Sequence, residues 1–231
     1  MKIGAVCSAG GSAFFSAVDI LLSDGRFSSK DFFVVTDRPC GAEQKCCARG
    51  IPHERITASN KIAFSSEAAK AFTKAKSTIL LLFFTRLVSE DLFEKFVTLN
   101  VHPSFLPAFR GFGAIKQAQK AGVRFLGATL HIASAKSDAG EIISQVVTPI
   151  TSDMDEFAVS KISFLQKTYL ALCAIDLFEQ GIYAVQQEEK RVLWNKPART
   201  TWSANPALYS EAYIGAFHKF QKSFEIEALV P

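Results

Sequence analysis

Short apolar runs of strand length alternate with longer stretches of helical periodicity along this chain, and that alternation restricts it to the α/β class. Lys2 to Cys7 is a first strand, and the glycine-rich turn Ser8-Ala9-Gly10-Gly11-Ser12 after it opens a helix through about Leu22. Asp31 to Thr36 is a second strand. Ala42 to Arg49 is a helix stopped by Gly50, since glycine takes the left-handed conformation of a helix end without steric cost. A short strand over Glu54 to Ile56 precedes a helix from about Ser66, its N-cap, to Lys74. The run from Thr78 to Phe84 is almost wholly apolar, as a central strand covered on both faces requires. Phe96 to Val101 is the next strand, and Gly113 to Ala121 is helical. Phe125 to Ala133 and Glu141 to Pro149 read as a paired antiparallel extension. The longest helical pattern runs from about Met154 to Gln180, capped by Asp153 and ended by Gly181. The expected fold is an open, mostly parallel sheet with helices on both faces.

The 231 residues fit one large domain, or one domain with a small appendage. From Trp194 onward the character changes: Asn195-Lys196-Pro197-Ala198-Arg199 and Asn205-Pro206 are turn-rich, and a helix follows around Glu211 to Phe220. The net charge of +4 is spread over single lysines and arginines, unlike the clustered stripe of a dedicated nucleic-acid binder. Ile79 to Phe84 is too short an apolar run to cross a bilayer, and the chain starts directly in a strand. The five cysteines include no CxxC pair, which favours neither a disulfide framework nor a zinc knuckle. Buried or incidental thiols in a reducing, cytoplasmic compartment are expected, with no metal.

Two places carry candidate chemistry. The first is the turn after the first strand. Gly10 and Gly11 permit a tight turn with outward-facing N–H groups, Ser12 adds a hydroxyl, and the helix N-terminus adds partial positive charge. It matches neither a dinucleotide fingerprint nor a Walker loop, and a bland tight turn fits it equally well. The second place is Asn100-Val101-His102-Pro103-Ser104-Phe105-Leu106-Pro107. On a strand, Asn100 and His102 face the same way because the side-chain period is two. An amide and an imidazole then sit together at the carboxyl end of a central strand, where open α/β sheets bind ligands. Asp138, beside Ala139-Gly140, reads locally as a turn-former. His131 reads as a core histidine, and His53 and His218 have no evident partners in the sequence.

The stretch Asn100 to Pro107, with Gly111 after it and Asp138-Ala139-Gly140 beyond, resembles the folate-dependent formyltransferase family. The resemblance covers roughly residues 1 to 187 and implies a Rossmann-like catalytic domain there, with 188 to 231 as an extension packed on it or contacting a partner. It implies 10-formyltetrahydrofolate as formyl donor and a primary amine as acceptor, with glycinamide ribonucleotide of purine biosynthesis first among acceptors. Asn100 and His102 would stabilise an oxyanion, and Asp138 would assist proton transfer. Gly10, Gly11 and Ser12 stand where the family binds a substrate phosphate. Phe84, Arg86, Leu87 and Val88, together with His131, stand where it lines the folate pocket. Ala13 replaces an asparagine of the phosphate loop, Lys167 replaces an acidic contact in the long helix, and Phe109-Arg110-Gly111 is closer to the methionyl-tRNA and sugar formyltransferases. Alternatives are a sugar-amine formyltransferase, a hydrolase passing formyl to water, and a catalytically silent folate- or metabolite-binding protein. Monomer and homodimer remain open.

Overall fold

The computed structural model describes residues 1–224; the last residues of the expected extension, 225–231, lie outside them. The chain begins β1 (Ile3–Cys7), α1 (Ser12–Ser23), β2 (Phe32–Thr36), α2 (Gly41–Arg49) and β3 (His53–Arg55). It continues through α3 (Lys61–Ala75), β4 (Ile79–Phe83), α4 (Glu90–Phe93), β5 (Val97–His102) and α5 (Ala114–Lys120). Next come β6 (Phe125–Ile132), β7 (Ile142–Pro149) and the long α6 (Glu156–Glu179), then the hairpin β8 (Tyr183–Gln186) and β9 (Arg191–Trp194). β10 (Ala204–Asn205) and α7 (Glu211–Lys222) complete it.

Eight strands form one sheet in the order β10-β7-β6-β5-β4-β1-β2-β3. β1 to β5 pair in parallel, whereas β6 and β7 add antiparallel to β5 and to each other. The fold is therefore the expected α/β class. Alternation along the strands separates two cores. Ala5, Leu81, Leu99, Val101, Ala128 and Leu130 face α1 and α6, while Val6, Val35, Leu80 and Leu82 face α3 and α4. Gly4 is required here: a Cβ would lie 2.3 Å from Leu80 Cδ2 and 2.7 Å from the Phe72 ring.

Several boundaries differ from the sequence expectation. The third helix starts at Lys61, not near Ser66, because the Asn60 side chain accepts from the N–H groups of Ile62 and Ala63. The long helix is capped by Asp155, not Asp153, through the Ala158 N–H at 2.7 Å. The hairpin straddles position 187, and its turn is pinned by Gln187 Nε2 and Lys190 Nζ donating to the Phe93 carbonyl. β10 pairs with β7, so the C-terminal residues complete the main sheet. Asp176 of α6, fully buried, accepts the N–H groups of Tyr209 and Ser210 and holds the start of α7.

Candidate active site

Parallel β-strands end at one edge of the sheet, and the loops leaving that edge of β1, β4 and β5 meet over it. β5 presents Asn100 and His102 on the face away from α1 and α6, with His102 5% exposed. Pairing with antiparallel β6 sets His131 opposite Asn100. The loop after β6 then folds back over this face and delivers Asp138, held in the left-handed conformation at φ 50. Gly140 makes the fold-back possible, since a Cβ there would lie 1.8 Å from the Ile132 carbonyl oxygen.

Asn100, His102, His131 and Asp138 converge on one point. Asp138 Oδ1 is 3.3 Å from Asn100 Nδ2, 3.4 Å from His102 Nδ1 and 3.6 Å from His131 Nε2. Its other oxygen accepts the Gly111 N–H at 2.8 Å. His102 Nε2 lies 2.9 Å from the Phe109 carbonyl oxygen. Both ring nitrogens of His102 thus face oxygen atoms, and the two contacts fix the plane of the ring. Polar contact with His131, the Gly111 N–H and the attraction of His102 hold the Asp138 carboxyl well below the usual carboxylate range, against the opposing effect of partial burial.

A carboxyl lowered by folding contributes stability above its unfolded value, and that contribution is lost as pH falls through the folded value. Asp138→Asn should therefore flatten the acid limb of thermal stability below about pH 4. Melting temperatures of both proteins across that limb check this; parallel acid limbs would refute it.

The cluster lines a cleft of about 280 Å³. Phe84, Leu87 and Val88 supply apolar wall, and the Phe84 ring is stacked on Phe64 at 4.9 Å. Arg86 lies at the wall with its guanidinium on buried Asp37, Nη1 to Oδ2 at 3.1 Å. Lys61 and Phe112 also line the cleft. A cleft with apolar wall and a group of convergent polar side chains suits a flat heterocyclic cosubstrate.

The glycine turn stands at the same sheet edge. Gly11 adopts φ 54 at the N-terminus of α1, and the first turn of α1 carries no acid. Lys45 of α2 donates from Nζ to the Gly10 carbonyl and to Ser12 Oγ, each at 2.8 Å. Ser8 joins this turn to the cleft wall: its hydroxyl is 2.7 Å from Thr85 Oγ1 and accepts the Thr85 N–H at 2.8 Å.

Residues 1–169 match the family model described as formyl transferase. The chain belongs to the formyl transferase family. It is 30% identical over 152 residues to phosphoribosylglycinamide formyltransferase of Bacillus subtilis, covering 63% of this chain and 78% of that protein. It is 26% identical over 191 residues to the Mycobacterium tuberculosis protein of the same name, covering 80% and 88%. The crystal structure of glycinamide ribonucleotide transformylase 1 from Symbiobacterium toebii superposes with a TM-score of 0.75 at 25% identity, over 85% of this chain and 94% of that one. The chain is thus an enzyme of folate-dependent formyl transfer.

The fold brings together Asn100, His102 and Asp138, and it places Phe84, Arg86, Leu87, Val88 and His131 on the cleft wall. His131 is 2% exposed and sits within 3.1 Å of Asn100, so it braces the cluster from behind. Gly10, Gly11 and Ser12 form a separate turn that is not among the cleft-lining residues. Sequence reasoning passed over Lys45 and the Phe109 carbonyl. Lys45 lies 33 positions from Ser12, and only the adjacency of β1 and β2 brings α2 onto the turn. Among the described residues, no group of three or more His, Cys, Asp or Glu side chains is placed to hold a metal. No described helix is long and apolar enough to cross a membrane.

Proposed function

We propose that this chain transfers the formyl group of 10-formyltetrahydrofolate to the primary amine of a small phosphorylated acceptor, with glycinamide ribonucleotide as the first candidate. The observation that carries the reading is the convergence of Asn100, His102 and Asp138 on the wall of the cleft. The amine adds to the formyl carbon and negative charge develops on the formyl oxygen. Collapse of this intermediate breaks the bond to the folate nitrogen, which departs as tetrahydrofolate carrying the proton taken from the amine. The Asn100 amide is a donor for the formyl oxygen, and the His102 ring becomes one when its Nε2–H turns from the Phe109 carbonyl to the ligand, each contributing about 3 kcal/mol. Asp138, ionised and facing His102, holds the ring in position and accepts the proton released by the amine, directly or through a water. The names of the relatives and the anion-suited turn at Gly10–Ser12 support a phosphorylated acceptor.

The test is absorbance of the folate product after mixing the protein with 10-formyltetrahydrofolate or a deaza analogue. Glycinamide ribonucleotide, amino sugars and buffer alone are compared. Turnover that requires glycinamide ribonucleotide is the expected result. Turnover in buffer alone would assign a hydrolase instead, and turnover confined to amino sugars would change the acceptor. Ser12→Ala should raise the acceptor KM about tenfold by removing a hydroxyl donor to an anion, with the folate KM unchanged. An unaltered KM for every phosphorylated acceptor would rule out the role given to Ser12.

A further inference from the structure

β1 and β4 pair in parallel and end in register, Cys7 opposite Phe83, so the loops that leave them start side by side. One loop carries the glycine turn and the other carries part of the cleft wall. Ser8, 5% exposed, joins the two. Its Oγ accepts the Thr85 N–H at 2.8 Å and hydrogen-bonds Thr85 Oγ1 at 2.7 Å. Two bonds between one pair of residues fix a direction as well as a distance.

Both partners are held from outside. Thr85 lines the cleft between Phe84, whose ring stacks on Phe64, and Arg86, whose guanidinium lies on buried Asp37. On the far side of the turn, the Ala42 N–H donates to the Ala9 carbonyl at 3.1 Å, and Lys45 Nζ donates to the Gly10 carbonyl. The contacts close a ring, from Ser8 to Thr85, through Arg86 to Asp37, and along residues 38–42 back to Ala9. The turn cannot hold its own shape, because Gly10 and Gly11 have no Cβ to restrict the backbone. Its place relative to the cleft is set by this ring.

We infer that Ser8 and Thr85 are positioning residues for formyl transfer, whose joint fixes the reach from an acceptor phosphate on the turn to the formyl carbon in the cleft. This rests on the acceptor reading above. Gly10, Gly11 and Ser12 line no part of the cleft, so the acceptor is anchored on one loop and reacts beside another. Transfer needs the amine within bonding range of the formyl carbon, and an offset of about 1 Å there can cost about 10²-fold in rate. Neither hydroxyl has to touch a ligand for this. Without the joint each half of the site stays whole, since Phe84 still stacks on Phe64 and Lys45 still holds Gly10. The halves then drift relative to each other. Binding of each ligand survives, and the rate of transfer falls.

The experiment compares the full-length wild type with Ser8→Ala, Thr85→Val, the double variant and Thr85→Ser. Thr85 is exposed, so water takes up its lost hydroxyl bond and Thr85→Val stays folded even if Ser8→Ala does not. Each single variant should lower kcat with glycinamide ribonucleotide by about 10- to 10²-fold, with both KM values within about twofold of wild type. The double variant should be no slower than the slower single one, because either change breaks the same joint. Thr85→Ser keeps the hydroxyl and should recover most of the rate. An unchanged kcat in Thr85→Val, a loss confined to KM, or no recovery in Thr85→Ser would overturn the assignment. Hydrogen exchange at residues 9–12 gives a second reading that needs no acceptor. A deaza analogue of the formyl donor, bound in the cleft, should slow exchange at the turn in the wild type but not in Thr85→Val. Equal slowing in both proteins, or none in the wild type, would also overturn the joint. Failure of the wild type to formylate any amine would overturn the acceptor reading itself, and the exchange measurement would still decide on Ser8 and Thr85.

Discussion

Replacing His102 by alanine will lower kcat by about 10²–10⁴-fold while the KM for the formyl donor stays near that of the wild type. The ring is buried at 5% exposure, between the Phe109 carbonyl and the Asp138 carboxylate, on the wall of the cleft. It therefore makes little contact with the body of the donor, and its loss falls on the reacting oxygen. Asp138→Asn should lose turnover by a similar factor, because the amide keeps the shape but not the charge facing His102. The two act as one unit, so the double variant should be scarcely slower than either single one. Rapid-quench measurement of a single turnover separates this from slow product release. Additive losses, or near-normal turnover in His102→Ala, would remove these residues from the chemistry.

Gly140→Ala is the second substitution with a large expected effect, and it acts without touching a reacting group. The added Cβ would lie 1.8 Å from the Ile132 oxygen and 2.8 Å from its carbonyl carbon, both backbone atoms that cannot rotate away. The loop must lift, at a cost of about 1–3 kcal/mol in stability. Asp138 is two residues away, and displacement by about 1 Å at a reacting centre can cost about 10²-fold in rate. A lower Tm with a kcat depressed out of proportion to the folded fraction is the expected pair of results. A variant with wild-type Tm and kcat would mean that the loop takes another path.

The parts of this molecule legible in the sequence are those whose signal is local and periodic. β1, β2, β4 and the β6–β7 pair carry continuous or alternating apolar runs, and Gly50 marks the end of α2 through its left-handed conformation. The start of α3 is not legible in the sequence because Ile62 is 60% exposed, so its first turn lacks the apolar face that begins at Phe64. β10 is two residues long and has no period to detect; it exists because β7 offers an open edge. In the site, Asn100 and His102 share a face by the arithmetic of a strand. Asp138 had two readings, turn-former and catalytic partner, and its φ of 50 shows that the turn is what carries the carboxylate to His102. Lys45 and the Phe109 carbonyl could not be found locally, since each acts across a tertiary contact.

The pairing of β10 with β7 also has a consequence in time. A ribosome makes the chain from its N-terminus, so β1 to β7 exist before residues 204–205 leave it. Until then the β7 edge is an unpaired strand, able to pair with a neighbouring nascent chain. Asp176 meanwhile awaits the two N–H groups that Tyr209 and Ser210 bring. Chains halted near residue 187 would keep the catalytic cluster but expose that edge, and would be the species most in need of a chaperone.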